Sequence, residues 1–173
     1  MTAIIKPVLD FSRLLLAHLR THWFAYALVP LAFAMFQSNY RIGVNETPSL
    51  PQTFFLIHKR ADVQKGDYVS FRIPPGNSPV KFNHKMILTK IVVGSPGDVV
   101  TVQGRLVYVN DIPVGFAKEK SLKGEPLDPI EPLVVPPGHF YVMGLHKDSL
   151  DSRYTLVGLV PTTNLVGRAY PIL

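Results

Sequence analysis

Cysteine is absent from the 173 residues. Its absence rules out disulfides, thiol catalysis and cysteine-held metals, and it is compatible with an oxidising compartment. Charge is scarce as well. Asp, Glu, Lys and Arg supply only 17% of the chain against 47% hydrophobic residues, which excludes a disordered polypeptide. The formal net charge is +6, yet no run of five or more Lys and Arg occurs. No helix-turn-helix, zinc or RNA-reading signature accompanies that charge, so nucleic acid is not an expected partner. Membrane lipid is: an anionic surface suits the basic N-terminal part. No metal-ligand spacing stands out, and no cofactor is called for.

Long hydrophobic runs are also lacking. The longest charge-free oily stretch, WFAYALVPLAFAMF over 23–36, has fourteen residues, whereas a membrane span needs about 20. Flanking His22, Gln37 and Ser38 extend it toward headgroups. Trp23, Tyr26 and Tyr40 suit interfacial belts, and Pro30 is placed to kink a helix. Three readings compete: a buried core helix, a cleaved signal peptide using Ala32-Phe33-Ala34, and a retained anchor. The anchor is favoured. Lys6, Arg13 and Arg20 precede the stretch and only Arg41 closely follows it, so the positive-inside rule leaves the N-terminus in the cytoplasm. The expected organisation is an amphipathic cytoplasmic segment at 1–21, a transmembrane anchor at 22–39 and an extracytoplasmic domain at 40–173. In a bacterium that means the inner membrane with the domain in the periplasm.

Sixteen prolines and twelve glycines speak for short strands and turns beyond residue 40. The periodicity predicts strands over 53–59, 68–73, 86–93, 98–102, 105–110 and 139–143. Gly-Asp, Pro-Pro-Gly and Asn-Asp turns separate them. "GRLVYVND" reads as half a hairpin, and the polar, proline-bearing stretch 118–132 as a mobile loop. The expected fold class is mostly β, an antiparallel coiled or closed sheet preceded by one transmembrane helix.

Two positions carry chemistry. In the strand over 85–93, Met86, Leu88, Lys90 and Val92 share one face, and Ile87, Thr89, Ile91 and Val93 the other. Both faces are apolar, which puts Lys90 in a hydrophobic environment. Burial lowers an amine's pKa, and a neutral amine is a general base. The plain alternative is a stem that snorkels its amine to water. Ser49, between Pro48 and Pro51, reads locally as a turn residue; as a nucleophile it would need such a base. None of the six histidines lies in a GxSxG elbow, though a Ser-His-Asp triad does not depend on closeness in the chain.

Three stretches, in order, tip the balance. "TPSLP" at 47–51, "KIVVGSPGD" at 90–98 and "MGLHKDSLDSRYTLVGLVP" at 143–161 resemble boxes of the type I signal peptidases, membrane-anchored Ser/Lys proteases. The resemblance spans 41–170. It implies Ser49 as nucleophile, Lys90 as base and Thr47 as an oxyanion-hole hydroxyl. Ser149 would orient the lysine, Asp151 and Arg153 would form a structural pair, and Lys81 and Lys85 are set aside as bases. Leu145-His146 replaces the usual Asp-Asn after Gly144, and Ile91 replaces an arginine common after the lysine; both differences bear on substrate choice. The compact size and the form "NETPSLP" look most like the conjugative-transfer, TraF-type branch. That implies a pilin precursor as substrate, conjugation-apparatus components as neighbours, and hydrolysis or head-to-tail ring closure after acylation. In some of that branch the Asp151 position is assigned a catalytic role. Two rival classes stand beside this reading, a self-cleaving Ser/Lys repressor relative and a non-catalytic assembly component that keeps only the fold.

Overall fold

A computed structural model describes residues 2–73 and 86–172, with side chains from residue 10 onward. Lys81, His84 and Lys85 lie outside the described residues. The chain divides into two compact units, Met1–Asn39 and Tyr40–Leu173.

The first unit is one helix, α1 (Thr2–Asn39), interrupted at His22, whose backbone leaves helical geometry at φ −112°, ψ 16°. The break falls there and not at Pro30. Just before it, Thr21 Oγ1 donates to Ala17 O at 2.9 Å, a back-bond that bends helices. From residue 10 onward most side chains of this helix stand open to solvent. Phe11, Trp23, Phe24 and Leu31 are each at least 60% exposed. No helix among the described residues is long and apolar enough to cross a membrane. The expected span over 22–39 is corrected accordingly. Its oily stretch stops at Gln37-Ser38-Asn39, short of the roughly 20 residues that a bilayer core requires.

The second unit is antiparallel β throughout. A seven-stranded sheet is built from β1 (Tyr40–Val44), β2 (Phe54–His58), β3 (Tyr68–Arg72), β4 (Ile87–Gly94), β9 (His139–Met143), β10 (Val160–Pro161) and β11 (Leu165–Pro171). A four-stranded sheet holds β5 (Val99–Gln103), β6 (Leu106–Val109), β7 (Ile112–Phe116) and β8 (Leu133–Val134). The orders are β1-β2-β11-β3-β4-β9-β10 and β7-β6-β5-β8. Neither sheet closes on itself, which corrects the closed form of the expectation: β1 and β10 remain outer strands of one sheet, β7 and β8 of the other.

Local chemistry explains the strand boundaries. Gly66 and Gly97 adopt φ near +90°, and the aspartate after each caps its own turn. Asp67 Oδ2 accepts from Gln64 N at 2.9 Å and Asp98 Oδ2 from Ser95 N at 2.8 Å. Asn110 and Asp111 both have positive φ, the two-residue geometry that joins tightly twisted antiparallel strands such as β6 and β7. Strand β4 is central, with Val92 packed among Val69, Phe71, Val142 and Val160 and Ile91 packed toward Leu50, Phe55 and Ile57 on the other face.

The stretch 118–132 is not loose. Arg105 Nε donates to Ala117 O, and its Nη2 to Lys118 O and Leu127 O, each at 2.6 Å. Leu127 and Ile130 are buried. Within that clamp, Leu127 N donates to Glu119 O and Ser121 N to Glu125 O, both at 2.8 Å, making a small hairpin that the polar sequence concealed.

Gly167 has φ +155°, and a Cβ there would lie 2.3 Å from His58 O. It sits where β11 shifts register between β2 and β3. Gly167→Ala is expected to destabilise the fold by at least about 2 kcal/mol, read as a lowered urea midpoint with an unchanged slope.

Candidate active site

Ser49 lies in a turn, as its flanking prolines favour, yet it is only 4% exposed. The next residue explains this. Leu50 is pulled into the cluster of Phe55, Ile57 and Ala169 and drags the serine inward. Asn45 fixes the rest of the turn. Its Nδ2 donates to Leu50 O and Gln52 O, both at 3.1 Å, and its N–H to Thr53 O at 2.8 Å. From the opposite side, Leu145 N and His146 N donate to Ser49 O at 2.8 and 3.3 Å. The contact uses backbone only, so the change from Asp-Asn to Leu-His leaves it intact. Thr47 Oγ1 stands 3.0 Å from Ser49 Oγ and donates to Asn45 Oδ1 at 3.2 Å. With that proton committed, the serine hydroxyl donates to the threonine.

Lys90 occupies the middle of β4, opposite Val69 of β3. It is 3% exposed, so its amine does not reach open water and the snorkelling alternative fails. Burial lowers its pKa from 10.5 to about 8; Asp151 works against that shift and Arg153 adds to it. Ser49 and Lys90 line the same two cavities. One, of about 320 Å³, runs between 41–46 and 86–90. The other, of about 190 Å³, reaches from Ser49 and Lys90 to His146, Ser149 and Leu122. Ser149 Oγ is buried with no hydrogen-bond partner among the described residues, which leaves it free to face the amine.

Asp151 is fully buried and its carboxylate is saturated. It accepts four bonds, from Arg153 Nε at 2.8 Å, Arg153 Nη2 at 2.9 Å, Gly144 N at 2.9 Å and Arg153 N at 3.3 Å. Arg153 in turn donates to Ser149 O at 3.0 Å and Phe116 O at 3.2 Å. These two residues hold the 144–149 segment against the serine turn. Asp151 has no lone pair to spare for a substrate, so the arrangement fits a structural pair better than a catalytic acid.

The structure therefore gathers Thr47, Ser49, Lys90 and Ser149 around the smaller cavity, while Asp151 and Arg153 line neither of the two. Sequence reasoning missed Asn45, which looks like any residue following a strand. It also missed why Gly144 is glycine: a Cβ there would lie 2.2 Å from Ser149 Oγ and 2.9 Å from Ser49 O.

Residues 15–173 match the family described as signal peptidase, peptidase S26. The chain belongs to the peptidase S26 family. Among curated members, signal peptidase I of Pseudomonas aeruginosa is 33% identical over 146 residues, covering 64% of this chain and 49% of its own length. Thylakoidal processing peptidase 1 of Arabidopsis thaliana is 32% identical over 108 residues, 60% of this chain and 30% of its own. A probable signal peptidase I-2 of Synechocystis is 31% identical over 114 residues, 65% and 49% of the two lengths. The chain thus spans about half the length, or less, of these S26 relatives.

Two outcomes follow from this geometry. Gly144→Ala is expected to cut labelling of Ser49 by a serine-reactive acylating probe at least about 100-fold, because displacement of an ångström in such a site costs that much. Lys90→Met is expected to stabilise the folded chain at neutral pH. Between pH 8 and 10.5 the unfolded chain holds the lysine proton and the folded one does not, so wild-type stability rises with pH across that window. The burial penalty below it is about 3 kcal/mol. Urea denaturation at pH 7 and pH 10.5 should show the variant's advantage shrinking at the higher pH.

Proposed function

We propose that this chain is a signal-peptidase-I-type serine endopeptidase in which Ser49 is the nucleophile and Lys90 the general base. The observation that carries the reading is a buried lysine with its pKa near 8 sharing cavities with a buried serine. An amine in that state accepts a proton near neutral pH, which an exposed lysine does poorly.

The substrate is a precursor protein presenting an extended segment. The larger groove favours that shape. Strand β1 pairs only with β2, and β4 pairs with β9 only from Ile91 onward. Among the described residues, both strands thus turn unpaired edges to the groove, and a peptide strand supplies the missing main-chain partners. Ser49 Oγ attacks the scissile carbonyl carbon while Lys90 Nζ takes the hydroxyl proton. The Ser49 N–H and the Thr47 hydroxyl, turned away from Asn45, steady the oxyanion. The C–N bond then breaks, and the lysine ammonium protonates the departing amine. Water deacylates the serine by the same proton route in reverse, with Ser149 orienting the amine throughout.

Membrane lipid is the second partner. Helix α1 exposes Phe11, Leu15, Trp23, Phe24, Leu31 and Phe33, an apolar surface suited to lying in a lipid interface. The narrower reading is a conjugative, TraF-type peptidase acting on a pilin precursor. It rests on the form "NETPSLP", and the mass of the mature product tests it, since ring closure removes one water relative to the linear form. The S26 membership of 15–173 favours a peptidase over a self-cleaving repressor relative or an assembly protein.

Ser49→Ala and Lys90→Ala are each expected to lower cleavage of a co-expressed precursor at least about 10³-fold. For the wild type, kcat/KM should rise about tenfold per pH unit and level off near pH 8, where Lys90 becomes neutral. Undiminished processing by the serine variant would refute the assignment.

A further inference from the structure

We propose that the smaller cavity is a specificity pocket for a large apolar residue immediately after the scissile bond, with Leu122 as its outer wall. The inference rests on the Ser49 and Lys90 assignment above. Five side chains give the cavity its apolar lining: Pro48, Met86, Leu88, Leu150 and Leu122. Leu122 is the unexpected member. It is 80% exposed, yet the hairpin carrying it is rigidly made. Lys120 bridges Pro126, Gly124 turns at φ +81° and Arg105 clamps the base. An apolar side chain held at the tip of a fixed polar hairpin contributes little to folding. Its position suits an incoming side chain.

Size and polarity agree. The volume is about 190 Å³, and an apolar cavity of about 150 Å³ holds a benzene ring, so one leucine or phenylalanine side chain fits. Two of the polar groups that line it, the Asp148 amide and carboxylate, are engaged with other protein groups. Asp148 N donates to His146 Nδ1 at 3.2 Å, and the Asp148 carboxylate pairs with Lys118. Ser149 Oγ lines the cavity without a partner among the described residues, and the reading above assigns it to the lysine amine.

The two cavities meet at Ser49 and Lys90, so an extended substrate crossing the dyad enters both. The acyl segment must stay bound until water arrives, and the unpaired edges of β1 and β4 hold it by its main chain. The leaving segment then falls to the smaller cavity, where Leu122 and Leu150 offer side-chain contact without a strand edge.

The test uses the full chain in detergent and a peptide series differing only in the residue after the cleaved bond: Leu, Phe, Gly or Asp. The wild type is expected to favour Leu and Phe over Gly and Asp by at least about tenfold in kcat/KM, the scale of an apolar pocket. Leu122→Ala should shrink that ratio at least about fivefold. Leu122→Trp, which fills the cavity, should shift preference toward Gly. Equal rates across the series, a preference that survives Leu122→Ala, or one confined to the residue before the bond would overturn the pocket while leaving the peptidase reading intact. Failure to cleave any peptide together with no acylation of Ser49 would overturn both.

Discussion

A single carboxylate organises the site. Asp151 accepts two bonds from the Arg153 guanidinium and one from its backbone N–H, and takes the Gly144 amide as a fourth. Arg153 spends its remaining donors on backbone carbonyls of Ser149 and Phe116. The pair thereby ties the 144–149 segment to a strand of the smaller sheet and presses that segment on the serine turn, whose carbonyl accepts two of its amides. Removing one partner of such a buried pair leaves an uncompensated charge, at a typical cost of about 3–5 kcal/mol. Replacing both by apolar residues would spare that cost but lose the geometry. Its use here is positional.

Lys90 illustrates the opposite economy. A buried amine without a carboxylate partner lowers stability, and the folded chain carries that cost at neutral pH. Asp151 is near enough to act against the pKa shift, but its lone pairs are committed to Arg153 and Gly144. Burial therefore outweighs the nearby carboxylate, which leaves the amine with a pKa near 8, the range a general base needs. Stability and reactivity pull in opposite directions at this one position, as they often do where chemistry is done.

Three expectations changed on contact with the structure, each for a local reason. The oily stretch 23–36 has the composition of a span but not the length, and a helix carrying it ends in Gln, Ser and Asn. The sheets do not close, because hydrogen bonding among the described residues stops at β1 and β10 and at β7 and β8. The stretch 118–132 looked solvated and loose, yet one distant arginine, Arg105, holds it by three carbonyls. Periodicity sees side-chain alternation. It does not see a guanidinium reaching across from the turn between β5 and β6.

Taken alone, the amino-acid order determined the β character beyond residue 40, most of the strands, and the turns at Gly66, Gly97 and Asn110-Asp111, because alternation and left-handed backbone are local properties. It also singled out Lys90, since two apolar faces on one strand leave a lysine nowhere ordinary to go, and the three boxes pointed to Ser49 and Ser149. Only the tertiary structure decided that Asn45 staples the serine turn, that Gly144 is glycine because two serines crowd it, and that Leu122 belongs to the cavity of the dyad. The Gly144 and Leu122 placements depend on segments far apart in sequence being packed within contact distance, which has no local signature to read, whereas Asn45 reaches only the carbonyls of Leu50, Gln52 and Thr53, through a turn geometry that no local pattern announces.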